Sequence, residues 1–167
     1  MSGYAWFLSI PLAIANYYVT TFSVWLGHRL AHGQSSPTRR FHVDGHHTIY
    51  PSSSQARGIA GAYHGGQGTT NSAWALLPSL LLQAVAEAFV FPSWAFTLCL
   101  VEMVILLAAI NHVHEQFHVE KSALERFRWF VRARAIHDVH HDLPCNLMVA
   151  DHLWDKVFGT FEPPHPA

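Results

Sequence analysis

The sequence predicts an all-α integral membrane protein: about three transmembrane helices under a helical cap that holds a histidine-rich site for two metal ions. Three observations lead there. Half of the 167 residues are hydrophobic and only 13% are charged, about half the ~25% usual in a soluble domain. Two long stretches are almost free of charge. Most of the 14 histidines fall in four clusters beside the ends of those stretches. The length suits one domain over 1–167. So low a charged fraction argues against an ordinary soluble globule, a disordered tail and a coiled coil. A formal net charge of −1 gives no bias toward nucleic acid. Cys99 and Cys145 form neither a CxxC nor a disulfide framework.

The first span is expected over 4–27, where no residue is charged. At ~1.5 Å per residue this stretch reaches roughly 36 Å, enough for a ~30 Å hydrocarbon core. No Lys or Arg precedes it, and Gly27 runs straight into histidines, so it reads as a retained span and not a secretory signal. Pro11 and Asn16 are tolerated within it where neighbouring helices satisfy the backbone. The second apolar stretch breaks at Phe91-Pro92-Ser93, which predicts a hairpin with spans at about 73–91 and 93–111. Its only charges, Glu87 and Glu102, should face the protein interior or a cavity; a place near the interface is the alternative for Glu87.

All Lys and Arg lie in two segments, 28–72 and 112–167: Arg29, Arg39, Arg40 and Arg57, then Lys121, Arg126, Arg128, Arg132, Arg134 and Lys156. Three crossings put both segments on one side, and the positive-inside rule makes it cytoplasmic, at a bacterial inner membrane or the endoplasmic reticulum. These segments form the expected cap. Ser- and Gly-rich residues 51–70 read as a loop. Apolar residues at helical spacing over 124–136, with arginines between, suit a helix on the membrane surface.

The clusters carry the chemistry. They are His28-x-x-x-His32, His42-x-x-x-His46-His47, His114-x-x-x-His118 and His137-x-x-His140-His141. Residues i, i+3 and i+4 share a helix face, so each cluster aims two or three imidazoles at one point. A first-row metal takes roughly four to six ligands; ten histidines suit two ions. His112 is placed behind the third pair as a supporting group. Glu115, Asp138 and Asp142 are placed either as partners of the ligands or on a solvated helix face. His64, His152 and His165 have no cluster and stay ordinary histidines. Two other readings compete. His114-Glu115-x-x-His118 is an HExxH, the pattern of a membrane zinc metallopeptidase with Glu115 as general base; it leaves three clusters unexplained. A non-catalytic metal-binding membrane protein is the other, although ligands for transport belong along the helices and not at their ends.

The ordered set of clusters resembles the fatty acid hydroxylase/sterol desaturase superfamily of membrane di-iron oxygenases. His46-His47-Thr-Ile-Tyr-Pro51, Asn146 and the later Leu153-Trp154-Asp155-Lys-Val-Phe158-Gly159-Thr160 add to the resemblance, which covers about 28–161. It departs in two places: the second cluster has one residue more than HxxHH, with helix-weakening Gly45 inside it, and Leu147-Met148 replaces an aromatic-Gly after Asn146. The family's two hairpins become three crossings, which implies a minimal enzyme or one completed by a partner helix, for example in a homo-oligomer.

The resemblance implies O2-dependent hydroxylation or desaturation of a membrane lipid by two irons on His28, His32, His42, His46, His47, His114, His118, His137, His140 and His141, with Asn146 in support. Zinc would replace ferrous iron in an overexpressed sample because it binds such sites more tightly. No flavin, NAD or iron–sulfur motif is present. Electrons therefore come from a separate donor of cytochrome b5 or ferredoxin type with its reductase, docked on Arg126, Arg128, Arg132 and Arg134, unless those arginines only anchor the membrane surface. A tunnel from the bilayer should reach the metals between the helices, with Trp25 and Trp74 near its mouth.

Overall fold

In the computed structural model, residues 4–57, 72–149 and 151–164 are described, and every regular element among them is helical. The expectations for His64, for His165 and for most of the Ser/Gly-rich loop lie outside the described residues. Helix α1 runs over Tyr4–Ala31, straight through Pro11. Three short turns follow: α2 (Arg39–Phe41), a π-helical turn (His42–His46) and α3 (His47–Ile49). Then come α4 (Leu77–Val90), α5 (Ser93–Phe117), α6 (Arg128–Asp142) and α7 (Leu153–Val157).

Among the described residues, two helical stretches are long and apolar enough to cross a membrane, Phe7–Ala31 and Ser93–Phe117. The expected crossing at 73–91 is shorter. A helical turn from Ser72 breaks at Ala75-Leu76, and Pro78 starts a new helix of 14 residues, about 21 Å long. It still forms a hairpin with α5, because Phe91 is extended and Pro92 caps the next helix. Both α4 and α5 pack on α1. The α1–α4 crossing is close at Gly27, where an added Cβ would meet Ser79 Oγ at 2.6 Å and the Leu76 backbone at 3.1 Å.

The carboxylates of this bundle face inward, as anticipated. Glu102 accepts from Asn16 Nδ2 at 2.9 Å, and buried Glu87 accepts from Gln83 Nε2 at 2.7 Å. Gln83 also donates to Thr20 and Asn16. The polar cluster thus ties the three helices together, with Glu87 buried among them.

The surface helix expected over 124–136 is two pieces. A 3-10 turn (Ala123–Arg126) ends at extended Phe127, and α6 starts afresh at Arg128. Phe130, Ala133 and Ile136 of α6 are buried, while Trp129 and Val131 stay exposed. The C-terminal segment folds back on α1: Trp154 Nε1 donates to Thr21, Tyr17 donates to Asp151, and the Trp25 and Phe158 rings stack at 4.4 Å. Trp25 is therefore a core residue, 4% exposed, and not a residue of a tunnel mouth.

Candidate metal centre

The C-terminal ends of α1 and α5 lie at one end of the bundle and bring His28, His32, His114 and His118 there. The π-turn, α3 and α6 complete the set. The extra residue in the second cluster is absorbed by the π-turn, in which His47 N–H bonds to His42 O. A π-bulge of this kind inserts one residue without ending the helical path. It leaves His42 and His46, both buried, facing different neighbours.

Ten imidazoles sort into two groups. In the first, His28, His32, His42 and His140 offer nitrogens within 4.8 Å of one another. His47 joins them, its Nε2 lying 3.1 Å from His42 Nε2 and 3.2 Å from His140 Nε2. The second holds His46, His118, His137 and His141, again within 4.8 Å. His114 joins it, with its ring 4.7 Å from the rings of His46 and His137. The groups touch through His47 and His141, whose rings are 4.6 Å apart. Adjacent residues His140 and His141 serve different groups, so α6 contributes to both.

Several spacings within each group are those of a coordination shell, while His28 Nε2 and His42 Nε2, at 2.6 Å, stand closer than one allows. Metal–imidazole bonds of about 2.1 Å put neighbouring nitrogens about 3.0 Å apart at right angles and about 3.4 Å apart in a tetrahedron. His140 Nε2 is 3.1 Å from His28 Nε2 and 3.3 Å from His42 Nε2; His137 Nε2 is 3.2 Å from His118 Nε2 and 3.1 Å from His141 Nε2.

Hydrogen bonds behind the rings fix their protonation. His28 Nδ1–H donates to Leu147 O at 2.5 Å and His140 Nδ1–H to Cys145 O at 2.7 Å. His118 donates likewise to Ala56 O at 2.5 Å and His141 to Tyr50 O at 2.6 Å. These carbonyls assign the tautomer: each Nε2 carries a lone pair and no hydrogen. Facing lone pairs about 3 Å apart repel unless a cation lies between them. The buried Nε2 atoms of His32 and His114 have no hydrogen-bond partner either. Burial pushes the imidazoles of His42, His46, His137 and His140 well below 6.5, and the neighbouring imidazoles add to that. Burial likewise takes His118 down to about 3 and His141 to about 4. Neutral imidazole is the metal-binding form. The donor set fits one first-row ion in each group.

The supporting residues are only partly those expected. His112 is exposed on α5, away from both groups; two residues from His114, it points to another side of the helix. Glu115 accepts from Asn111 Nδ2 at 3.0 Å. Asp138 pairs with Arg57, and Asp142 accepts from Ser53 N–H at 2.9 Å; their described bonds go to a loop. Asn146 is fully buried at φ 50, a left-handed conformation that Asn tolerates. Its side chain bonds Ile136 O, Glu162 O and Glu162 N, so it holds the chain that presents the Cys145 and Leu147 carbonyls.

In the sequence Asp155 stands out only as part of the 153–160 motif. It is fully buried and accepts from Leu147 N, Met148 N and Thr160 Oγ1 at 2.8–3.0 Å. Although burial alone would raise it, His152, Thr160 and the two backbone N–H groups hold its carboxyl below the usual range. His152 is thus a partner of Asp155. Ser72 Oγ, 2.6 Å from His42 Nδ1, had no signal in the sequence. Arg134 does not present a docking surface: it is buried, paired with Glu125 at 2.7 Å and bonded to Gln116 O.

An apolar cavity of about 290 Å³ reaches both groups, touching His28 of one and His114 of the other. Val24 of α1, Leu80 of α4, Leu107 and Ile110 of α5 and Val149 line it, and exposed Trp74 stands at its side. Two buried clusters of neutral imidazoles beside such a cavity point to a metal-dependent enzyme with an apolar substrate. Comparison with curated proteins and with solved structures returns no match. The family model described as Fatty acid hydroxylase matches residues 13–160, and the chain belongs to this fatty acid hydroxylase family of metal-dependent hydroxylases.

Proposed function

We propose that the protein is an O2-dependent di-iron hydroxylase, or desaturase, acting on a C–H bond of a membrane lipid such as a fatty acyl, sterol or isoprenoid chain. The observation that carries this reading is the pair of five-histidine groups meeting the apolar cavity. His28, His32, His42, His47 and His140 would hold one iron; His46, His114, His118, His137 and His141 would hold the other. When bound, the two irons supply the activation of O2 and the cleavage of an unactivated C–H bond. The chain does the rest. Carbonyls at 50, 56, 145 and 147 fix the imidazoles, and the cavity wall excludes water and admits hydrocarbon. The substrate enters from the bilayer past Trp74, and the metal end of the bundle faces the cytoplasm.

Electrons come from a separate donor of cytochrome b5 or ferredoxin type, with exposed Arg126, Arg128 and Arg132 as its docking charges. The zinc-peptidase alternative needs His114 and His118 to share one ion with a third ligand and a catalytic water. Here three more histidines surround them and a second full group lies alongside, so the oxygenase is preferred.

The test is O2 consumption and lipid oxidation by iron-loaded protein given an electron donor. Glu115→Gln should keep both metals and lower turnover by no more than about 100-fold. Turnover that continues without O2 and vanishes in Glu115→Gln would establish the peptidase instead. Filling the cavity with Leu80→Trp should reduce lipid turnover at least about tenfold, by analogy with the loss from a small misplacement of substrate. Metal analysis should still find two ions per chain.

A further inference from the structure

The first histidine group is braced by a segment whose own supports are buried. Asp155 and Asn146, both 0% exposed, hold the chain that presents Cys145 O and Leu147 O to His140 and His28. The second group has a brace of a different kind. Its carbonyls, Tyr50 O and Ala56 O, belong to a strap over 50–57 that follows α3. The Tyr50 ring stacks on His118, with centroids 4.0 Å apart. A 3-10 turn (Ser53–Gln55) lies within the strap.

Two contacts clamp it to α6: the Arg57–Asp138 ion pair and the Ser53 N–H bond to Asp142 Oδ1. Asp138 and Asp142 are one turn apart, so they share a face of the helix whose His137 and His141 point into the second group. This clamp is only partly open to water, since Asp138 Oδ1 is buried. The Arg57 and Asp138 side chains are 31% and 19% exposed, and Asp142 is exposed.

We infer that Arg57, Asp138 and Asp142 are positioning residues of the second histidine group alone, and that the ion bound there is the more readily lost of the two. The inference rests on the two-metal reading above. The strap holds the Nδ1–H bonds that orient His118 and His141, and orienting partners of metal-bound histidines typically change affinity 10–100-fold. The carbonyls that orient the first group, Cys145 O and Leu147 O, lie outside the strap. Loosening the clamp should leave it filled.

The experiment uses purified full-length protein loaded with zinc and stripped with EDTA, with released zinc followed over time. Wild-type protein should release two zinc ions in separate fast and slow phases. Arg57→Ala and Asp142→Ala should each accelerate the fast phase by about tenfold or more, with the slow phase and the melting temperature little changed. Arg57→Lys should behave nearly as wild type. The exchange Arg57→Asp with Asp138→Arg should restore the slower release that either change alone loses. The inference is overturned if both phases accelerate together, or if neither responds while two zinc ions are bound. Wild-type protein that binds fewer than two ions would instead overturn the two-metal reading, and the inference with it.

Discussion

His140→Ala is expected to abolish lipid oxidation and to release the ion of the first group. His140 Nε2 lies within 3.3 Å of the Nε2 atoms of His28, His42 and His47, so it is the hub of that shell. The loss of a ligand should exceed the 10–100-fold effect of losing a group behind one. Metal analysis should count about one ion per chain in place of two. His141→Ala, at the next residue, should remove the other ion. A His140→Ala protein that keeps both ions and full turnover would remove His140 from the centre.

Asp155→Ala is expected to be the most destabilising single change. The carboxylate is fully buried and holds two backbone N–H groups, a threonine hydroxyl and His152. Removing one member of such a network leaves buried donors without partners and costs about 3–5 kcal/mol. The sign with pH follows from the lowered carboxyl. Its stabilisation is complete above the unfolded value of ~3.9 and is lost as the pH falls through the folded value. The damage should also reach the metals, because Leu147 N–H bonds Asp155 while Leu147 O orients His28. Thermal melting with metal counting checks both: a lower melting temperature, and an empty first group in the protein that still folds. An unchanged melting temperature would contradict the role given to Asp155.

The sequence made the histidine clusters legible because helical spacing is local. Yet the 42–47 and 137–141 clusters are each divided between the two groups, so spacing alone does not say which rings meet. The sorting of ten histidines into two groups was not legible, since it depends on how separate helices pack against one another. The π-turn at His42–His46 shows the limit from the other side: the extra residue was visible, but its accommodation without loss of either histidine depends on backbone geometry. The carbonyls that orient the rings leave no trace, because every residue has one. Arg134 looked like its exposed neighbours, yet it faces inward to Glu125 and Gln116. Apolar length predicts the hairpin. The break at Ala75-Leu76 is local turn geometry within that apolar run, so length alone overestimated the span.

Each chain is expected to hold two metal ions in shells built almost wholly of imidazole. X-ray absorption at the iron edge of anaerobically loaded protein, together with iron quantification, is the decisive measurement. The expected result is two irons per chain, nitrogen neighbours at about 2.1 Å and the outer-shell pattern of several imidazole rings per iron. One iron per chain, or first shells dominated by carboxylate oxygen, would contradict it.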